Sequence, residues 1–103
     1  MQKEKKYDIA SFYKFLILED LGKYQLLVKK FLIDNKLKGT IILSPEGING
    51  TVSGTQGFID KFNQYIFSLF CFSSYDSSNT SVANEIPFER PKVKIKKEVV
   101  PIE

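Results

Sequence analysis

The chain has 103 residues, 43% of them hydrophobic, and a net charge of +3, the size and apolar content of one globular domain with its own core. With a single cysteine, Cys71, and no histidine, it can form no internal disulfide, no zinc site built from cysteines and histidines, and no Ser-His-Asp or Cys-His mechanism. No apolar run is long enough to cross a bilayer, and Lys3, Glu4, Lys5 and Lys6 lead into a strand-like segment rather than a signal-peptide core, so a cytoplasmic location without membrane contact is expected.

Residues 9–18 read IASFYKFLIL, β-branched and aromatic around a lone Lys14. This predicts a central strand with two apolar faces. Asp20 is placed to cap a helix in which Leu21, Tyr24, Val28, Phe31 and Leu32 recur mostly at spacings of three and four, ending between Asn35 and Gly39. A second strand is expected at 40–44. Pro45, Glu46, Gly47, Ile48, Asn49 and Gly50 are turn chemistry, and Thr51 and Val52 a short third strand, so the two runs should pair as an antiparallel hairpin with a long loop. Ser53 or Thr55 would cap a second helix with Phe58, Phe62, Tyr65 and Leu69 along one stripe.

Residues 71–84 hold Ser73, Ser74, Ser77, Ser78, Ser81, Asp76 and Asn79, which predicts a long exposed connection. Residues 87–100 alternate, with Val93 and Ile95 on one side and Lys92, Lys94 and Lys96 on the other. That is a strand with one buried and one solvated basic face, and Pro91 marks an edge or the start of its regular part. The order βαββαβ predicts an α+β, ferredoxin-like sandwich: an antiparallel sheet with two helices on one face and the other face free. The chain stops just after its last strand, as at the entry to a linker.

Two constellations are candidates for binding. In the 45–54 loop, Glu46, Gly47, Asn49 and Gly50 could turn backbone N–H groups toward an anion, because Gly and Asn tolerate positive φ. Hairpins need the same residues for geometry alone, and no phosphate-loop pattern accompanies them, so the geometric reading is favoured. The second is the basic strand with Arg90, Lys92, Lys94 and Lys96. It suits RNA phosphates, and it equally suits an edge strand that uses lysines against aggregation. Arg90 is the only arginine, so contacts with nucleic acid would be point charges with little bidentate readout. Tyr13 and Phe15, or else Phe12, could reach the free face and stack on bases. Cys71, between Phe70 and Phe72 without an adjacent base, is expected to be buried and inert. Glu46, Asp60 and Glu85 have no acid–base spacing. No catalytic residue and no metal ligand is assigned.

Three stretches carry a family resemblance: SFYKF at 11–15, GTIILSPEGINGTVSG at 39–54 and PFERPKVKIKKEVV at 87–100. Together they resemble the amino-terminal region of rhodanese-domain tRNA uridine hydroxylases. The resemblance implies an acylphosphatase-like fold for residues 1–103, as a single amino-terminal domain that is not catalytic by itself. It implies a rhodanese domain beyond Glu103 that carries the catalytic cysteine; Cys71 does not match that position. The parent would be an oxidoreductase converting the wobble uridine of tRNA to 5-hydroxyuridine, with molecular oxygen consumed and no cofactor in this domain. Its partners would be tRNA and the rhodanese domain, this domain docking the one, supporting the other, or both. Two rivals stand beside this: a protein-interaction domain without RNA contact, and an acylphosphatase-type hydrolase. The second needs an Arg after the first strand, and residues 18–23 hold none.

Overall fold

Alternation in the first strand decides which side of it becomes core. In the computed structural model, which describes residues 6–85 and 87–97, β1 runs Tyr7–Phe15. Ala10 and Phe12 are buried, while Ser11, Tyr13 and Phe15 stand on the opposite side. The strand is central, as expected, but only one of its faces is sealed.

Helix α1 spans Leu21–Asp34 and buries Val28 and Leu32. Asp20 does start it, through its backbone rather than its side chain. It takes a left-handed conformation (φ 52), makes no side-chain cap bond, and its carbonyl accepts the N–H groups of Lys23 and Tyr24 at 3.0 and 3.2 Å. At the far end the Asn35 side-chain amide donates to the Phe31 carbonyl at 2.9 Å, satisfying one of the carbonyls a helix terminus leaves open.

Strands β2 (Lys38–Ser44) and β3 (Gly47–Thr55) pair antiparallel, with only Pro45 and Glu46 between them. The expected long loop is therefore a tight turn, and most of the glycine-rich segment is strand. Close approach is the reason. A Cβ on Gly47, at φ 149, would lie 2.1 Å from the Lys14 carbonyl oxygen, and one on Gly50 would lie 2.7 Å from that of Thr40. Ile48 and Val52 supply the buried contacts on either side of Gly50.

Helix α2 spans Phe58–Phe70, with Gly57 rather than Ser53 or Thr55 at its cap. The Gly57 N–H donates to the Asp8 carboxylate of β1 at 2.8 Å, which places a negative charge at the start of the helix. Phe62, Ile66 and Phe70 are buried; Phe58, Tyr65 and Leu69 pack half-buried beside them. Cys71 ends this helix in a left-handed conformation (φ 61) and is exposed, contrary to the buried thiol expected. Burial at that corner goes to its neighbours Phe70 and Phe72.

The expected Ser-rich connection contains a strand, β4 (Ser77–Ala83), and the lysine strand is a fifth, β5 (Pro91–Ile95). The sheet order is β4-β1-β3-β2-β5. Strand β4 pairs antiparallel with β1, while β5 pairs parallel with β2 at the other edge. The sheet is thus mixed, not antiparallel throughout, and the order is βαββαββ. Pro91 begins an edge strand, as its missing N–H requires. The strand expected over 87–100 is shorter than that at both ends, since residues 87–90 and 96–97 lie outside it, and residues 98–103 lie outside the described residues.

Both helices cover the same face, α1 over β2 and β5 and α2 over β1. The Gln25 side-chain amide donates to the Val93 carbonyl at 2.8 Å, fastening α1 to the edge strand. Tyr65 stacks on Phe31 at 4.1 Å and donates its hydroxyl to the Leu27 carbonyl, joining the two helices. Beneath them Phe12, Ile41, Leu43, Ile48, Val52 and Phe62 form the core. Each such side chain contributes about 1.5–3 kcal/mol by leaving water.

Candidate nucleic-acid interface

The side-chain parity of each strand assigns residues to the helix-free face. Partners in register there form rows across the sheet. One row holds Lys92, Thr40, Thr51, Ser11 and Asn79; the next holds Lys94, Ile42, Asn49, Tyr13 and Ser77. A third brings Lys38, Ser53, Ile9 and Ser81 together. Lys38, Lys92 and Lys94 therefore stand on this face, and no Asp or Glu of the described strands does.

The centre of the face is polar and buried. Asn49 and Ser53 of β3 are only 1% and 0% exposed, and their partners in register on β1 and β2 are Tyr13, Ile9, Ile42 and Lys38. The Ser11 and Thr51 hydroxyls bond each other at 3.0 Å between the two strands. Tyr13 and Phe15 form an edge-to-face pair, centroids 5.3 Å apart, with Phe15 half exposed. Phe12 belongs to the opposite side, stacked on Tyr75 at 4.8 Å in the core. The parity left open by the sequence is thus Tyr13 and Phe15 outward.

The basic candidates come together in part. Arg90 and Lys92 line one cleft of about 240 Å³ with Thr40, Pro87, Phe88 and Glu89. The Arg90 carbonyl accepts the Gly39 N–H at 3.3 Å, which fixes the backbone leading into β5. Lys94 follows on the same face. Lys96 is exposed just past the strand, its N–H bonded to the Leu43 carbonyl at 2.8 Å.

The 45–54 candidates do not come together. Glu46 is exposed in the turn, where its N–H meets the Ser44 hydroxyl at 3.1 Å. Gly47, Asn49 and Gly50 lie within β3, and Gly50 faces the helices while Asn49 faces away. A strand paired on both sides does not converge its N–H groups on an anion. Sequence reasoning missed the buried polar line and Lys38. Both follow once GINGTVSGT is read as one strand in register with KGTIILS.

The groups with shifted ionisation lie among the helices and the packing beside them. Burial raises the Tyr75 phenol, which donates to Asn63 Oδ1 at 2.8 Å. Burial also raises Tyr65, against the lowering charge of Lys30. The hydrogen bond to Asp34, and then its charge, raise Lys30. Among the described residues no cluster of His, Cys, Asp and Glu could hold a metal ion, and no helix is long and apolar enough to cross a membrane.

The tRNA uridine(34) hydroxylase of Pelagibacter ubique (strain HTCC1062) is 42% identical over 96 residues, which cover 93% of this chain and 32% of that protein. The tRNA uridine(34) hydroxylase of Ehrlichia ruminantium (strain Welgevonden) is 38% identical over 96 residues, covering 91% and 34%. The chain spans about a third of the length of these relatives. An acylphosphatase from Coxiella burnetii shares the fold, with a TM-score of 0.55 over 93% of this chain and 100% of that one at 13% identity. Residues 7–99 match the family described as UPF0176 acylphosphatase like domain, and the chain belongs to that family.

Proposed function

We propose that this chain is a tRNA-docking domain of an oxygen-dependent tRNA uridine hydroxylase, an oxidoreductase acting in the cytoplasm at the wobble uridine. Catalysis belongs to a rhodanese domain of the same protein, and molecular oxygen is its co-substrate. The helix-free face supplies weak, sequence-independent affinity for tRNA. The observation that carries this is the register of β5 on β2, with Lys92 and Lys94 on a face whose described strands bear no carboxylate. The names of the relatives make a polyanionic substrate the natural occupant of that field. Lysine heads hold phosphates without reading bases.

The test is the salt dependence of tRNA binding by the full-length protein. Replacing Lys92, Lys94 and Lys96 by Gln should flatten the slope of log affinity against log salt by about two to three if each lysine meets one phosphate. An unchanged slope with the fold intact would leave these lysines as guards of an edge strand.

A further inference from the structure

We propose that the helix-free face takes an unpaired stretch of RNA laid across the strands, one base stacking on a ring of the edge-to-face pair Tyr13 and Phe15 and the following phosphates running toward Lys94 and Lys92. This rests on the docking function above and adds the conformation of the RNA that is bound.

Register sets the geometry. Tyr13, Asn49, Ile42 and Lys94 are partners on β1, β3, β2 and β5. Adjacent strands lie about 4.8 Å apart, so this row spans about 14 Å from the Tyr13 backbone to the Lys94 backbone. An extended run of nucleotides covers that distance and a single nucleotide does not. The aromatic end and the basic end are therefore separate contacts on one strand of RNA.

Chemistry along the row favours an unstacked strand over a duplex. A duplex offers phosphates and hydroxyls at its surface, while its base faces are already stacked on one another. It would have no use for Tyr13 and Phe15, whose edge-to-face contact orients the pair and leaves Phe15 49% exposed. A splayed base supplies the missing ring face, and every base can do so, which suits a surface without bidentate readers. Between the two ends Ser11, Thr51 and Thr40 line the adjacent row toward Lys92. Their hydroxyls are short, uncharged donors and acceptors of the sort that meet ribose hydroxyls.

A protein partner fits this face less well. Stable protein interfaces gather apolar side chains at the centre and keep charge at the rim. Here the centre is Asn49, Thr51 and Ser53, with Ile9 and Ile42 as their aliphatic neighbours and Lys38, Lys92 and Lys94 on the same surface.

The test measures binding of a labelled single-stranded oligoribonucleotide, and of the same strand annealed to its complement, to the full-length protein. The single strand should bind more tightly. The double variant Tyr13→Leu, Phe15→Leu should weaken the single strand by about tenfold, leave the duplex unchanged and keep the salt slope. Lys92→Gln with Lys94→Gln should flatten the slope for both. Should the double variant fail to fold, Phe15→Leu alone, at a half-exposed position, is read in the same way. Equal affinity for both RNAs, or equal loss on both in the aromatic variant, overturns the stacking proposal while leaving tRNA docking intact. A lysine variant with an unchanged slope overturns the docking itself.

Discussion

The two faces of this sheet share one backbone and one hydrogen-bond ladder, yet they have different chemistry. Toward the helices stand Ala10, Phe12, Ile41, Leu43, Ile48, Val52 and Val93, all buried. Away from them stand Ser11, Tyr13, Thr40, Asn49, Thr51, Lys92 and Lys94. One step along any strand crosses from one set to the other. Core packing and the polar, basic residues of the candidate interface are thereby divided by the parity of a residue rather than by region. A register slip of one residue in β3 would put Asn49 and Thr51 under the helices, so the division also fixes the pairing.

The comparison would break first at Phe62. It is fully buried and lies 5.6, 6.3 and 6.2 Å, ring to ring, from Phe12, Phe31 and Phe58. Phe62→Ala should cost about 3–5 kcal/mol, a large part of the roughly 5–15 kcal/mol that holds such a domain folded. Urea unfolding followed by circular dichroism measures it; a loss below about 1 kcal/mol would show that the helices do not seal this face.

Gly47 is the exception that sharpens the rule. Parity puts it on the helix-free face, where substitution should be mild. Its φ of 149, and a Lys14 carbonyl oxygen only 2.1 Å from where a Cβ would lie, forbid a side chain nonetheless. Gly47→Ala should cost about 2–3 kcal/mol by the same measurement. A neutral result would mean that the turn at Pro45 and Glu46 relaxes away from β1, breaking the bonds from Leu16 and Leu18 to its carbonyls.

A smaller effect is expected at Asp76, where β4 enters the sheet. Its carboxylate accepts the Phe15 N–H at 2.7 Å and its own N–H donates to the Tyr13 carbonyl. The ion pair with Lys14 is longer, 3.5 Å, and partly exposed, so it contributes less than about 1 kcal/mol. Asp76→Ala should cost about 1–2 kcal/mol and speed amide exchange along β4, whereas Asp76→Asn, which keeps an acceptor, should lose less. Equal losses would assign the effect to the charge instead.

These sites also mark where the sequence was legible. Strand β5 could be read because Val93 is buried between exposed lysines, so burial and alternation agree. Strand β4 could not, because SSNTSVA is exposed on nearly every residue and owes its conformation to its ladder with β1. Its serines signal a loop only when tertiary pairing is ignored. With β4 unread, the lysine strand counted as the fourth of an antiparallel sheet, and its parallel pair with β2 went unseen. The hairpin was misread for a related reason. Gly47, Asn49 and Gly50 have turn preferences, but crowding between β1 and β2 demands small residues in the middle of a sheet. Of the candidate site, the lysine parity was legible, while the outward placement of Tyr13 needed the buried Phe12 to decide it.

The smallest expected effect separates two serines on the helix-free face. Ser44 and Ser53 are both 0% exposed. The Ser44 hydroxyl accepts the Glu46 N–H at 3.1 Å. Ser53 Oγ has no hydrogen-bond partner among the described residues, and its neighbours in register are Ile9 and Lys38. A net hydrogen bond contributes about 1 kcal/mol, and a buried hydroxyl without one is costly to keep. Ser44→Ala should therefore destabilise by about 1 kcal/mol, and Ser53→Ala should change nothing or stabilise by up to about 1 kcal/mol. Each removes one oxygen of the same kind from the same face, so differences in cavity and chain entropy largely cancel between them. Chemical unfolding of the pair in parallel gives the comparison. If Ser53→Ala loses as much as Ser44→Ala, the Ser53 hydroxyl is hydrogen-bonded in solution, and water reaches a side chain that is fully buried here.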